Sequence, residues 1–68
     1  MKAKLTYREI EVLQAIYDFG HPFLITAHLD MSHSTVRAHL RQIREKLGVN
    51  TTLEAVILFV KSGLVKEK

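Results

Sequence analysis

The sequence contains no cysteine and no tryptophan, and it has little proline or glycine among its 68 residues. Because cysteine is absent, the chain forms no disulfide and offers neither a thiolate ligand to a metal nor a cysteine nucleophile. Four histidines remain, but His33 and His39 do not share a helix face, and His21 and His28 belong to another segment. We therefore expect no metal site and no cofactor.

Long apolar runs are also missing. The longest, residues 55–60, is far shorter than the roughly 20 residues that cross a membrane as a helix. No pair of carboxylates has a spacing suited to acid–base catalysis, and Ser34 and His39 lie on one predicted helix without an acid to orient them. We expect a soluble, cytoplasmic protein that is not an enzyme and does not enter a membrane.

Apolar residues are abundant, at 47% of the chain, which is enough for one small core. They recur at helical spacing in four segments, and no segment alternates convincingly as a strand does. The sequence therefore predicts a single all-α domain over residues 1–68. Its four helices are expected at about 7–19, 22–29, 33–47 and 52–62.

Capping signals support these helix bounds. Thr6 with Glu9, and Thr51 with Glu54, have the spacing of a capping box, in which each side chain bonds the backbone amide of the other residue. Ser32 is a good N-cap for the third helix.

The apolar residues at helical spacing predict the core. They are Ile10, Leu13, Ile16 and Tyr17 in the first helix, Ile25 and Leu29 in the second, Val36, Leu40, Ile43 and Leu47 in the third, and Ala55, Val56 and Phe59 in the fourth.

The third helix carries the most informative surface. At about 100° per residue, the side opposite its apolar stripe holds Ser34, Arg37, Ala38, Arg41 and Glu45. Arginine binds guanine edges or phosphates with a forked geometry, and a small alanine between two arginines lets a helix approach the bases. A short helix, a three-residue turn and this cationic helix form a helix-turn-helix, so we expect double-stranded DNA as the partner.

The fourth helix is apolar on every side between Ala55 and Val60. A helix of this kind in a small domain needs a second burial surface beyond its own core. We expect a homodimer in which two copies of this helix pair through Leu53, Ile57, Val60 and Lys61. The alternative is an ordinary half-exposed surface.

Five segments together resemble the LuxR/GerE-type DNA-binding domain. They are residues 5–13, 32–40, 46–49, 54–56 and 63–65, and the match runs without a gap from Leu5 to Val65. The resemblance implies a four-helix helix-turn-helix domain of the winged-helix-like superfamily, without a wing. It also implies a bacterial or phage transcription regulator that acts at the nucleoid, with its third helix in the major groove and its fourth helix pairing two copies on an inverted-repeat site.

The resemblance also implies roles for single residues. Base contacts fall on Arg37, Ala38 and Arg41, and Ser34 near the helix start can contact a base or the backbone. The DNA backbone contacts fall on Thr35, His39 and Lys46.

The chain departs from the family pattern at Phe23 and Leu24, where charged residues are usual. These side chains either repack against the first or fourth helix, or form a docking patch for RNA polymerase or another regulator. In the second case the chain is a small adaptor or anti-activator. A sigma region-four-like module is a further alternative, because it shares the opening pattern. No receiver or ligand-binding domain precedes Leu5, so we expect a free-standing regulator similar to the sporulation protein of this family.

Overall fold

The computed structural model describes residues 4–67, and in that range it contains four α-helices and no strand. The helices are α1 (Tyr7–Phe19), α2 (Pro22–Leu29), α3 (His33–Leu47) and α4 (Thr52–Lys61). The predicted all-α fold is confirmed, and the bounds differ from the expected ones only at the end of α4, which lies one residue earlier. Residues 1–3 and 68 of the predicted domain lie outside the described range.

The predicted caps start the helices. The Thr6 hydroxyl accepts a hydrogen bond from the Glu9 amide at 3.1 Å, and the Glu9 carboxylate accepts one from the Thr6 amide at 2.8 Å. Thr51 and Glu54 repeat this arrangement at α4. The hydroxyl of Ser32 caps α3 by accepting from an amide of its first turn. These bonds satisfy amides that a helix start leaves without an intrahelical partner.

All four helices contribute to one core, and α1 and α3 each contact the other three helices. The predicted core positions that are buried are Leu13, Ile16, Ile25, Val36, Leu40, Ile43, Ala55 and Phe59. Four further predicted residues, Ile10, Leu29, Leu47 and Val56, are half-buried against this core. Burial of each large aliphatic side chain contributes about 1.5–3 kcal/mol, so the apolar stripe of α3 holds that helix firmly against its neighbours.

The prediction that Tyr17 is buried is wrong. The buried side of α1 is instead completed by Val12 and Ala15, and Tyr17 is exposed. Its hydroxyl donates to the Glu67 carboxylate, and this bond together with the negative charge of Glu67 raises the pKa of Tyr17 above its ordinary value. The side-chain amide of Gln14 also exchanges two hydrogen bonds with the backbone of Lys66, so the end of the described chain lies against α1.

A buried ion pair joins the start of α1 to the end of α3. The Lys46 ammonium lies 2.7 Å from the carboxylate of Glu9, and among residues 4–67 Glu9 is the one polar residue that is buried. Burial of this carboxyl raises its pKa, but the bond and charge of Lys46 and the Thr6 amide lower it by more. The pKa of Glu9 therefore lies below its ordinary value.

Glu9→Gln should destabilise the domain, because it leaves the Lys46 ammonium without its anion while an amide oxygen can still accept from Thr6. Removing one partner of a fully buried ion pair typically costs several kcal/mol, and because Lys46 is partly exposed we expect a smaller loss, of about 1–3 kcal/mol. Urea unfolding of the parent and the variant measures this change in the free energy of unfolding. Glu11→Gln is the matched control, since Glu11 pairs with Arg8 at the surface and its loss should cost under about 1 kcal/mol. Equal midpoints for the two variants would contradict a stabilising role for the pair.

The contribution of Glu9 to stability should also depend on pH. Its pKa is lower in the folded chain than the value of about 4.3 in an unfolded one, so the ionised carboxylate stabilises the fold at neutral pH. That contribution is lost as the pH falls from about 5 through the folded pKa. The difference in unfolding free energy between the parent and Glu9→Gln should therefore shrink over this range. A difference that stayed constant down to pH 3, about one unit below the unfolded value, would argue against it.

Candidate DNA-binding surface

The exposed side of α3 forms a ridge between two grooves. The first, which we call the arginine groove, lies between α3 and the start of α2 and is lined by Arg37, Arg41, Arg44, His33, His21 and Pro22. The second, the polar groove, lies between α3 and the start of α1 and is lined by Thr35, His39, Gln42, Lys46, Thr6 and Glu9. Ser34 and Ala38 line both grooves, so they lie on the ridge itself.

The four residues predicted to contact bases are all exposed. Within residues 4–67, Arg37 has no ion-pair partner. Arg41 lies 3.5 Å from the carboxylate of Glu45, one turn further along α3, but its side chain remains 77% exposed. Both guanidinium groups therefore face outward from a helix whose other side is buried, and Ala38 between them leaves the ridge narrow.

The three residues predicted to contact the DNA backbone lie together in the polar groove. Thr35 shares a hydrogen bond with the Ser32 hydroxyl, and His39 is half-buried. Lys46 is half-buried and bonded to Glu9, so one of its three donors is already used. A phosphate contact by Lys46 has to use the remaining donors.

Sequence reasoning assigned no role to Arg44, which lines the arginine groove. It is half-buried, and its guanidinium donates to the Thr52 hydroxyl at 3.3 Å, which ties α3 to the first turn of α4. The helical spacing of the arginines could have identified this position from the sequence. Arg44 follows Arg37 by seven residues, which places the two side chains about 20° apart around the helix.

The predicted pairing side of α4 is exposed. Leu53 is 70% exposed and Ile57 44%, and Val60 and Lys61 are exposed on the following turn. These positions are three or four residues apart, so they share one side of the helix, while Ala55 and Phe59 on the other side are buried in the core.

The side chains of Phe23 and Leu24 are also exposed, at 66% and 51%. The alternative in which they repack against α1 or α4 is therefore wrong. The ring of Phe23 lies 6.5 Å from the rings of both His21 and His33, so this apolar patch borders the arginine groove.

The part of the chain that the structure describes contains neither a cluster of metal-binding side chains nor a helix that could span a membrane. No three side chains of the metal-binding types come together there. None of the four helices has both the length and the apolar character needed to cross a membrane.

The chain is similar in sequence to known proteins. The family described as bacterial regulatory proteins, luxR family (GerE), matches residues 3–59. The transcriptional regulatory protein DegU of Brevibacillus brevis is 40% identical over 62 residues, which are 91% of this chain and 26% of that protein. The transcriptional regulatory protein YdfI of Bacillus subtilis (strain 168) is 34% identical over 64 residues, which are 94% of this chain and 30% of that protein. The chain thus spans between a quarter and a third of the length of these relatives.

Proposed function

Because this chain belongs to the luxR family of bacterial regulatory proteins, which are DNA-binding transcription regulators, we propose that it recognises a specific DNA sequence as a homodimer. In this proposal α3 of each copy lies in the major groove. The chain acts by binding rather than by catalysis, and it acts in the cytoplasm at the nucleoid, where its DNA lies.

One observation carries the proposal: two arginines on successive turns of α3 point away from the domain while the opposite side of the helix is buried. Arg37 and Arg41 can each donate two parallel hydrogen bonds to a guanine edge. Ser34 and Ala38 complete the base-reading ridge, and the methyl group of Ala38 suits contact with a thymine methyl. A helix held by its buried stripe presents these groups without further ordering, which lowers the entropic cost of binding.

The grooves beside the ridge suit the two sugar–phosphate strands that border a major groove. Thr35, His39 and Lys46 donate to phosphates on one side, and Arg44 does so on the other. Phosphate contacts of this kind supply affinity that does not depend on sequence and that falls steeply as the salt concentration rises.

Dimerisation is proposed to occur through α4. The exposed stripe formed by Leu53, Ile57, Val60 and Lys61 is apolar except at its end, and pairing with a second copy removes it from water. Two-fold symmetry then predicts an inverted-repeat site, with half-sites about 10 base pairs apart from centre to centre.

The exposed patch at Phe23 and Leu24 favours a second candidate function. In that case the chain is an adaptor or anti-activator, and the patch docks on RNA polymerase or on another regulator. The sigma region-four-like alternative receives no support, because the match over residues 3–59 is to the luxR family.

Selection of bound duplexes from a random pool at several salt concentrations tests the proposal. If the chain is a regulator, the bound duplexes should be enriched in inverted repeats, and their affinity should fall as the salt concentration rises. An adaptor should enrich no sequence, so a pool that stayed random would contradict the proposal and favour the second candidate.

Arg41→Ala should lower the affinity for the enriched duplex by about 1–3 kcal/mol and relax the preference at one base pair of each half-site. Fluorescence anisotropy with the enriched and a scrambled duplex measures both effects. Arg8→Ala is the control, because it removes the same charge from α1 and should leave discrimination between the two duplexes unchanged. The proposed docking is wrong if Arg41→Ala binds the enriched duplex as tightly as the parent does.

Ile57→Asp should produce monomers without unfolding the domain, because it places a charge in the proposed seam at a position outside the core. Sedimentation measures the mass, and circular dichroism reports the helix content. Leu24→Asp adds the same charge to the other exposed apolar surface and should leave the dimer intact. A helical Ile57→Asp variant that still sediments as a dimer would argue against α4 as the seam.

A further inference from the structure

The exposed side of α3 contains a carboxylate that the proposed docking does not use. Glu45 follows Arg41 by four residues and Arg37 by eight, so the three side chains succeed one another along the same side of the helix. The Glu45 side chain is 65% exposed. A helix that places Arg37 and Arg41 in the major groove therefore brings Glu45 against the DNA as well.

Other acidic residues of the domain contribute to the folded structure. Glu9 caps α1 and pairs with Lys46, and Glu54 caps α4. Glu45 differs, because its one ion pair within the described residues joins its carboxylate to Arg41 through a single nitrogen at 3.5 Å. An exposed pair of this kind adds little to stability. Folding therefore does not account for a glutamate at this position.

A carboxylate that faces DNA weakens binding to most sequences, since it is repelled by the phosphates and loses water without gaining a partner. The exception is a site that offers a hydrogen-bond donor in the major groove. The amino group of cytosine is the donor with which glutamate pairs there. A carboxylate on a helix that lies in the major groove therefore discriminates among DNA sequences, because it lowers the affinity for sites that lack this amino group.

The distance along α3 between Arg41 and Glu45 suits contacts with base pairs that are one or two steps apart. Four residues rise about 6 Å along a helix, and stacked base pairs are about 3.4 Å apart. In the unbound protein the Arg41 guanidinium already lies beside this carboxylate, at 3.5 Å.

We propose that Glu45 is a specificity-determining residue, which accepts a hydrogen bond from a cytosine amino group one or two base pairs away from the pair read by Arg41. This inference rests on the proposed function, because it requires α3 to lie in the major groove. It extends that function by assigning the chemistry of one further base pair in each half-site.

Two substitutions at this exposed position test the proposal, with the duplex that the parent most enriches and a scrambled duplex as probes. Glu45→Ala should bind the scrambled duplex several-fold more tightly than the parent does, and discrimination between the two duplexes should fall about tenfold. Glu45→Gln should shift the preference at one base pair from cytosine toward adenine, because a side-chain amide pairs with the edge of adenine. Glu11→Gln removes the same charge from α1 and should alter neither property.

The outcomes separate this inference from the function on which it rests. If the parent enriches no sequence, both fail. If Arg41→Ala loses the enriched duplex while Glu45→Ala and Glu45→Gln keep the base preferences of the parent, only the role of Glu45 is wrong. A uniform gain of affinity for both duplexes in Glu45→Ala would also overturn it, because it would show repulsion without base reading.

Discussion

Burial of one side of α3 is the constraint on which the rest of this domain depends. Val36, Leu40 and Ile43 are inserted among the other three helices, so the opposite side of α3 can only face outward. At its C-terminal end the helix is fixed a second time, by the pairing of Lys46 with the buried Glu9. Both features fix the orientation of α3, so that Arg37 and Arg41 stay on its outer side, where the proposed docking on DNA needs them.

Charge is distributed unequally on the two sides of this helix. The arginine groove has three guanidinium groups, whereas the ammonium in the polar groove is neutralised by Glu9. The two sides of this ridge therefore differ in chemistry, with the forked guanidinium donors on one side and hydroxyl, imidazole and amide groups on the other. Arg44 also connects two helices. Its guanidinium donates a hydrogen bond to the Thr52 hydroxyl, which joins α3 to α4, the helix proposed to pair two copies. The separation of the two half-sites on DNA would then depend on how α3 is fixed against α4.

Most of the fold could be predicted from sequence because its determinants are local. Capping residues three positions apart, and apolar residues three or four apart, act within one or two turns, and they were sufficient for the helix bounds and most of the core. Tyr17 was misassigned because its position lies at the edge of the buried arc, where tertiary packing decides between Tyr17 and Ala15. Glu9 was recognised as a cap, but its pairing with Lys46 spans 37 positions in the chain and has no local signal.

The same distinction applies to the candidate site. Periodicity alone selected the exposed arginines, and it would also have selected Arg44 had the spacing been extended by one more turn. It could not decide whether Phe23 and Leu24 repack or stay exposed, because that depends on which side of α2 faces α1 and on whether α2 reaches α4. In the described residues α2 contacts α1 and α3 but not α4, and Phe23 and Leu24 lie on its exposed side.

The proposed position of α3 on DNA is tested most directly by the change in backbone amide chemical shifts when an enriched duplex is added to isotopically labelled protein. We predict that the largest changes fall on α3 between Ser34 and Glu45 and on the start of α2, with little change along the outer side of α1. Changes concentrated on α1 or on the end of the chain, with α3 unaffected, would contradict it.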